Sequence, residues 1–557
     1  MWQKQMKQTN WYKDAVIYQI YPRSFCDGNG DGLGDIPGII SKLDYLKDLG
    51  VNCVWLSPVY ESPQEDNGYD ISNYRDIYKP FGTLDDFKKM LDGMHKRGIR
   101  LIMDLVVNHT SSEHEWFKSA INDPKSPYRD YYIIKKGRKN GKKPPNNWSG
   151  FFGEKAWERI GDSEDYYLHL FAKGQPDLNW ENPKVREEVK DILRYWLDMG
   201  VDGFRCDVIT LISKDQRFKN VGPTIALAGK KYYVNGPRLH EYLHELYTDV
   251  YQNYDCMTVG ETVLSTLDDA KKLVEPERQE LSMIFNFDHT DVDNYMGVKY
   301  FVRKFKLKRL KKVVEKWQHG LFGKGWNSLF IENHDQRRSI GRFGTDDTKY
   351  RIESACMLGA TYFFLQGTPF IYQGQEIGMT NGDFKSIVDV KDVEAHNINA
   401  LANKVKILKP FVKKNMLQVS RDNARTPMQW DDSEYAGFSN VEPWLKVNKN
   451  KCCINVKESI EYKDSIYHFY QKLIEFRKGN EVIKNGEYID LLKSNSKIFA
   501  YKRKLDDKEI IIVSNFTNKE VKLPKIQGLD KFEITISNYV KHSDMLKPYE
   551  TRVYKNY

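Results

Sequence analysis

The most constraining feature of this sequence is a series of short apolar runs, each followed by a longer stretch with helical spacing of apolar residues. The runs cover 16–21, 51–56, 101–107, 203–208, 257–261, 283–287, 328–332 and 369–372. Apolar runs of this length are typical of parallel strands that are buried on both faces and joined by crossover helices. Eight such units predict an α/β fold, the (β/α)8 TIM barrel.

Two departures from this rhythm predict further domains. The segment between the third and fourth runs is about twice as long as one crossover helix needs, and its first part is rich in Lys, Gly, Pro, Asn and Trp. After about residue 480 the pattern changes to strands of period two. We therefore predict a barrel of residues 1–107 and 177–480, an inserted small domain of residues 108–176 after strand 3, and a C-terminal antiparallel β-sandwich of residues 481–557.

Composition narrows the range of partners. The 557 residues carry 86 Lys and Arg against 77 Asp and Glu, a net charge of +9 that is weak evidence for nucleic-acid binding. Neither the amino terminus nor any later segment has the apolar run of a signal peptide or membrane span. Seven scattered cysteines without a CxxC pair argue against a disulfide framework or zinc site. We expect a cytoplasmic monomer or weak homo-oligomer that binds neither nucleic acid nor membrane.

Polar residues gather where the predicted strands end. In a TIM barrel the carboxyl ends of the strands face the active site. The residues there are Asp104, His109, Arg205, Asp207, Glu261, His334 and Asp335. Buried acids need cations, a metal or a role in proton and covalent chemistry. Because Arg205 and Asp207 share one strand face, the guanidinium can keep that carboxylate ionised, and a second acid with a raised pKa completes the requirement for glycoside cleavage.

The strand ends also resemble a known family. Asp104-Leu-Val-Val-Asn-His, Gly203-Phe-Arg-Cys-Asp, Val259-Gly-Glu and Glu332-Asn-His-Asp are similar to the four signature regions of glycoside hydrolase family 13, the α-amylase family. Gln175-Pro-Asp-Leu-Asn-Trp narrows the resemblance to the oligo-1,6-glucosidase group. The likeness extends almost end to end and includes Arg421-Asp-Asn-Ala-Arg-Thr-Pro-Met-Gln-Trp-Asp.

The resemblance implies a role for each acid of the cluster. Asp207 would be the nucleophile, Glu261 the general acid/base and Asp335 the transition-state stabiliser. These roles suit a retaining glycosidase, in which one carboxyl attacks the anomeric carbon while another protonates the leaving oxygen. His109 and His334 would hold hydroxyls of the same glucose.

The resemblance also implies a pocket closed around the terminal sugar. Asn67-Gly-Tyr-Asp is similar to the closing segment of this group, in which Tyr69 would stack on the sugar and Asp70 would bind its hydroxyls opposite Arg425. Such a pair blocks a longer chain and predicts exo action. The other substrate-binding positions that we expect are Phe152, Phe171, Gln175, Arg205 and Val208.

Val208 bears on linkage preference, because an apolar branched residue after the nucleophile goes with α-1,6 linkages in similar enzymes. We therefore expect a retaining exo-α-glucosidase that releases glucose from isomaltose and short α-1,6 oligosaccharides. Trehalose-6-phosphate hydrolase, or a broad α-glucosidase or sucrose-active enzyme, is the alternative. Arg337 or lysines of the basic tract 135–143 could then hold the phosphate. A catalytically dead transporter subunit is disfavoured because it needs a membrane helix.

The loop that begins at Asp27 has the spacing of a calcium site. Its oxygen donors stand at positions 1, 3, 5, 7 and 9 of the loop, and Gly32 stands at the sharp sixth position. The donors are Asp27, Asn29, Asp31, the backbone carbonyl of Leu33, and Asp35. Gly38 at position 12 disfavours an EF-hand, which leaves a structural Ca²⁺ loop or a metal-free Asx-turn loop. No organic cofactor is expected.

Overall fold

Eight parallel strands form the barrel in a computed structural model that describes residues 8–224, 226–295, 298–404 and 409–557. We number them β1 to β8: Ile17–Ile20, Cys53–Leu56, Arg100–Leu105, Gly203–Cys206, Met257–Glu261, Met283–Phe285, Ser328–Leu329 and Thr368–Tyr372. Their order in the sheet is β6-β5-β4-β3-β2-β1-β8-β7. A parallel bridge between Ile284 and Asn327 joins the two edges, so the sheet closes. All eight predicted strands and the barrel are thus confirmed.

The strands form where the sequence is apolar because both of their faces are covered. Ile17, Trp55, Ile102, Val259 and Phe370 lie in one buried cluster that fills the barrel. The opposite faces of the strands pack against the surrounding helices in a second, larger core. This two-sided burial explains the continuous apolar runs, and the few polar side chains within them, such as Gln19 and Thr258, are themselves buried.

Helices cover the outside of the barrel. The helix Leu84–Lys96 shows why they form: Thr83 and Asp86 make a capping box, and Phe87, Met90, Leu91 and Met94 share its buried face. The α-helices of four or more residues before β8 are Ile36–Ile40, Leu43–Leu49, Leu84–Lys96, Glu115–Asn122, Pro183–Met199, Lys230–Tyr233, Leu239–Asp249, Leu267–Val274, Leu307–Leu321, Ile340–Phe343 and Arg351–Phe363. After β8 come Val393–Lys404, Lys409–Val419, Asp422–Arg425, Val456–Glu461, Ile466–Arg477 and Glu481–Asn485.

The segment between β3 and the helix Pro183–Met199 contains a small three-stranded antiparallel sheet. Its strands are Ile134–Lys136, Trp157–Arg159 and Asp165–Leu168, with the last in the centre. Trp148, Trp157 and Leu168 form an apolar core together with Val208 and Leu211 from the loop that follows β4. The segment therefore packs directly over the carboxyl end of β4.

The C-terminal strands form an antiparallel sheet, as predicted. We number them β9 to β13: Glu487–Asp490, Ile498–Leu505, Lys508–Asn515, Glu533–Ser537 and Thr551–Lys555. Their order is β9-β10-β11-β13-β12, and a two-stranded ribbon of Val521–Lys522 and Met545–Leu546 accompanies them. The sheet is tied to the barrel helix Arg351–Phe363, where the Tyr501 hydroxyl donates to the carbonyl of Thr361 over 2.8 Å. Within the described residues no helix is long and apolar enough to span a membrane.

Candidate active site

Arg205 organises the acids at the carboxyl ends of β3, β4 and β5. Its Nη1 lies 2.6 Å from Asp104 Oδ1 and 2.5 Å from Asp207 Oδ1. Its Nη2 lies 2.8 Å from Glu261 Oε2. One planar guanidinium therefore holds carboxyl groups from three neighbouring strands. The predicted nucleophile and acid/base lie at different nitrogens of the same arginine.

The charges in this cluster do not balance, since one cation faces three acids that are almost wholly buried. Burial raises the pKa of Asp104 to about 6, that of Asp207 to about 7 and that of Glu261 to about 8, although Arg205 opposes each rise. Glu261 has the highest pKa and so retains a proton most readily. Asp207, which shares Nη1 of Arg205 with Asp104, ionises more readily than Glu261. Two carboxyls with unequal proton affinities are what acid and nucleophile roles require.

Val208 has a strained backbone directly beside the predicted nucleophile. Its φ of 36° and ψ of 38° lie in the left-handed region, which a β-branched residue rarely adopts. In this conformation its amide N–H donates to Glu261 Oε2 over 3.0 Å. The side chain packs into the core of the inserted segment. The strained peptide thus orients Glu261, and the valine joins the wall over the site.

Asp335 reaches the same site from the loop after β7. Arg425 Nη2 lies 2.8 Å, and Arg421 Nη1 3.5 Å, from its Oδ1. Burial opposes ionisation of Asp335, but the guanidinium groups of Arg421 and Arg425 outweigh it and hold the pKa of this carboxyl well below its usual range. Asp335 is therefore ionised at neutral pH. Its side chain is 29% exposed, the most open of the three predicted catalytic acids.

His334 and Tyr69 connect the two halves of the site. The Gln19 amide donates to Nδ1 of His334 over 2.7 Å, so the ring proton sits on Nε2, and burial lowers the pKa of the ring to about 3. Nε2 faces the Tyr69 hydroxyl at 2.8 Å and Asp335 Oδ2 at 3.2 Å. The Tyr69 hydroxyl donates in turn to Asp104 Oδ2 over 3.3 Å. A continuous network thus joins all three predicted catalytic acids.

The predicted pair between Asp70 and Arg425 is wrong. Asp70 is fully buried and accepts the backbone N–H groups of Glu65 and Asp66. Arg425 binds Asp335 instead. Asp70 therefore closes its own turn instead of pairing with Arg425.

A different pair stands in the expected place. Arg421 Nη2 lies 3.0 Å from Asp66 Oδ1, and the same arginine approaches Asp335. The side chains of Asp66 and Arg421 are 6% and 8% exposed. Arg421 opens the segment that contains Arg425, but Asp66 lies one residue before the Asn67-Gly-Tyr-Asp segment, so the sequence analysis did not single it out. We call Asp66 and Arg421 the closing pair.

The other predicted binding residues surround this pair. His109 Nε2 donates to the carbonyl of Tyr69 over 2.9 Å, and Gln175 donates to the same carbonyl over 3.2 Å. The ring of Phe152 lies 5.4 Å from the Arg421 guanidinium. The ring of Phe171 lies 5.1 Å from that of His109. His109 and Gln175 thus support the backbone of Tyr69, a function that their sequence motifs did not reveal.

Arg337 does not offer a free cation. It forms an ion pair with Asp293, which Arg342 also contacts at 2.7 Å. The side chain of Arg337 is 7% exposed. Asp293 therefore already neutralises the charge that the predicted phosphate-binding role assigned to this residue.

The Asp27 loop is a series of tight turns. Asp27 Oδ1 accepts the N–H of Asn29 at 3.2 Å, Asp31 Oδ1 accepts that of Leu33 at 2.8 Å, and Asp35 caps the helix Ile36–Ile40. Gly32 has a φ of 88°, and a Cβ there would lie 2.5 Å from the carbonyl oxygen of Glu442. No group of three or more His, Cys, Asp or Glu suited to a metal ion occurs in the described parts of the chain. The predicted donors are all oxygen atoms, the ligands that Ca²⁺ prefers, but here the Asp27 and Asp31 carboxylates accept the loop's own N–H groups.

A closed barrel with ionised and protonated carboxyls around one opening is the architecture of a glycoside hydrolase. Residues 19–486 match the family model described as "Alpha amylase, catalytic domain". The chain belongs to the α-amylase family, as the resemblance indicated.

Individual relatives cover the chain almost completely. An oligo-1,6-glucosidase from Parageobacillus thermoglucosidasius is 52% identical over 98% of this chain and 99% of its own length. A trehalose-6-phosphate hydrolase from Bacillus subtilis is 45% identical over 99% of both chains. The crystal structure of trehalose-6-phosphate hydrolase from Bacillus licheniformis superposes with a TM-score of 0.92 at 44% identity, covering 98% of this chain and 99% of that one.

Proposed function

We propose that the protein is a retaining exo-α-glucosidase that releases glucose from the non-reducing ends of isomaltose and short α-1,6-linked oligosaccharides. The observation that carries the proposal is the placement of Asp207 and Glu261 on one arginine with unequal pKa values. The closing pair supports exo action, because a salt-bridged pair beside the acids leaves room for a chain end. The name of the relative from Parageobacillus supports the α-1,6 linkage.

The residues suit a double displacement. Asp207 attacks C1 while Glu261 gives its proton to the departing glycosidic oxygen, and a glucosyl ester forms on Asp207. Glu261, now ionised, takes a proton from water, and that water releases the glucose with its anomeric configuration retained. Asp335 is held ionised by two arginines, so it strengthens its hydrogen bonds to sugar hydroxyls as positive charge develops on the ring.

The pKa values predict a bell-shaped dependence of kcat/KM on pH. Glu261 must be protonated, so activity falls as pH rises through its pKa of about 8. Asp207 must be ionised, so activity falls as pH drops through its pKa of about 7. The two acids titrate as a coupled pair through Arg205.

The variant Glu261→Gln tests which acid causes the alkaline limb. We expect it to remove that limb when p-nitrophenyl α-glucoside, whose leaving group needs no proton, is the substrate. An alkaline limb that persists in Glu261→Gln would contradict this assignment.

A substrate panel tests the linkage preference. We expect isomaltose and panose to be cleaved with higher kcat/KM than maltose, because the Val208 side chain narrows the space beside the cleaved bond. Val208→Ala should lower the ratio of kcat/KM for isomaltose to kcat/KM for maltose by about 5- to 150-fold, which corresponds to about 1 to 3 kcal/mol. Ile209→Val, at the next position in the same loop but in the outer core, is the matched control and should leave the ratio unchanged. Equal or better cleavage of maltose by the unaltered protein would overturn the α-1,6 proposal.

Trehalose-6-phosphate is the second candidate substrate, and the Bacillus subtilis relative favours it. A phosphate needs an uncommitted cation near the site. Arg337 is paired with Asp293, and Lys299 is paired with Glu394 over 2.7 Å. These pairs support an uncharged substrate. Hydrolysis of trehalose-6-phosphate in the same panel distinguishes the two proposals.

We also propose that the Asp27 loop holds a structural Ca²⁺ through Asp27, Asn29, Asp31, the Leu33 carbonyl and Asp35. The left-handed Gly32 and the oxygen-only donor set support it. We expect chelation by EDTA to lower the melting temperature, and Ca²⁺ but not Mg²⁺ to restore it. A melting temperature that is insensitive to both would favour the metal-free turn.

The seven free cysteines support a further proposal, that the protein acts in the cytoplasm. Free thiols, and exposed ones in particular, persist in a reducing compartment.

A further inference from the structure

Two adjacent cysteines, Cys452 and Cys453, lie on the surface. Cys452 ends the 3-10 helix Lys449–Cys452, and Cys453 follows it. Both are exposed, whereas the other five cysteines are buried. Their sulfur atoms are 3.3 Å apart, so the two thiols already face the same side of the chain.

The turn that presents the two sulfurs is firmly held. The side-chain amide of Asn448 donates to the carbonyl of Thr380 over 3.2 Å, and that of Asn450 donates to the Thr380 hydroxyl over 2.8 Å. The N–H of Cys453 donates to the carbonyl of Asn450 over 3.0 Å. The backbone that carries the two thiols is therefore held in place by the fold, which lowers the entropy cost of binding both sulfurs to one atom.

A disulfide suits this pair poorly. Neighbouring Cα atoms are about 3.8 Å apart across a trans peptide, whereas disulfides usually need about 4.4 to 6.8 Å. A bond between adjacent cysteines is therefore strained and easily reduced. In a reducing compartment the pair remains a dithiol.

The separation of the sulfurs also discriminates among atoms that could bridge them. A tetrahedral zinc ion with Zn–S bonds of about 2.3 Å places two sulfurs about 3.8 Å apart, wider than the 3.3 Å found here. A pyramidal centre with bond angles near a right angle brings them closer together. Trivalent arsenic has this geometry and prefers sulfur ligands.

We propose that Cys452 and Cys453 form a bidentate covalent site for monosubstituted trivalent arsenicals, R–As(OH)₂. Two As–S bonds form and two As–O bonds break. Each thiol proton leaves with one hydroxide, so two waters are released and no atom changes oxidation state. The product is a nine-membered ring, in which arsenic joins the two sulfur atoms and the ring closes through the two Cβ atoms, the two Cα atoms and the peptide bond between the cysteines.

The test uses the full-length protein, reduced and freed of small thiols, with a slight excess of phenylarsine oxide, which hydrates to the required diol. Intact-mass measurement should show one phenylarsenic group per chain, located by peptide mapping on the segment that contains both cysteines. The adduct should survive excess monothiol and be removed by dithiothreitol. Loss of the adduct to monothiol, or its location on another segment, would overturn the proposal.

Single variants are the matched controls. Cys452→Ser and Cys453→Ser each keep one exposed thiol and replace the other with a hydroxyl group of nearly the same size. Both should still react with Ellman's reagent, which shows that the turn is folded and accessible, but neither should hold phenylarsenic against monothiol. A stable adduct in either variant would contradict a bidentate site. A wild-type mass two units lower, found without added oxidant, would show a disulfide and equally overturn it.

Discussion

Asp207→Asn is expected to lower kcat by at least about 10⁴-fold on both isomaltose and p-nitrophenyl α-glucoside, as loss of a nucleophile does in other enzymes. The amide cannot form the glucosyl ester, whatever the quality of the leaving group. The fold should survive, since Arg205 keeps its contacts with Asp104 and Glu261. The measurements are steady-state kinetics, and thermal unfolding to establish that the variant is native.

The matched control for this variant is Asp215→Asn. Asp215 also pairs with an arginine two positions away, Arg217, but that arginine is 64% exposed. Surface pairs of this kind contribute about 0 to 1 kcal/mol to stability, so activity and melting temperature should both stay near those of the unaltered protein. If kcat of Asp207→Asn lies within tenfold of the wild-type value, Asp207 is not the nucleophile.

The second large effect is expected from the closing pair. Asp66→Asn should lower kcat/KM on isomaltose by about 10² to 10³-fold, mainly through KM. The variant leaves Arg421 bound to Asp392 at 2.7 Å but removes the charge that, in the proposed function, faces the terminal sugar. Truncating one partner of a buried charge pair typically costs about 2 to 5 kcal/mol. Kinetics on isomaltose, with unfolding measured in parallel, separate lost binding from lost stability.

Asp70→Asn is the control, since it lies four residues away in the same loop and is equally isosteric. Asp70 accepts two backbone N–H groups, and its pKa is raised by burial to about 6. We expect this variant to lower the melting temperature while KM stays within a few-fold of wild type. A larger KM effect for Asp70→Asn than for Asp66→Asn would restore the pair that the sequence predicted.

The barrel and its acid cluster could be predicted because each depends on local pattern. Strands buried on both faces must be apolar, so all eight could be predicted from the sequence. Asp104, Asp207 and Glu261 lie at or near the carboxyl ends of these strands. Their convergence follows from the topology of a parallel barrel rather than from any contact that must be guessed.

The closing pair could not be predicted in the same way. Asp66 and Arg421 are 355 positions apart, and each lies near a second residue of its own kind, Asp70 and Arg425. Only the turn around Asp70, which uses that carboxylate for its own N–H groups, decides between them. The left-handed backbone of Val208 was equally hidden, because a valine in sequence indicates extended structure.

The most direct test of the account is to trap the covalent intermediate. The full-length protein is incubated with 5-fluoro-α-D-glucosyl fluoride, digested with a protease and analysed by tandem mass spectrometry. The account predicts one fluoroglucosyl group per chain, esterified to Asp207 and released on incubation with an acceptor sugar. A label on Glu261, Asp335 or any residue outside the Arg205 cluster would contradict it.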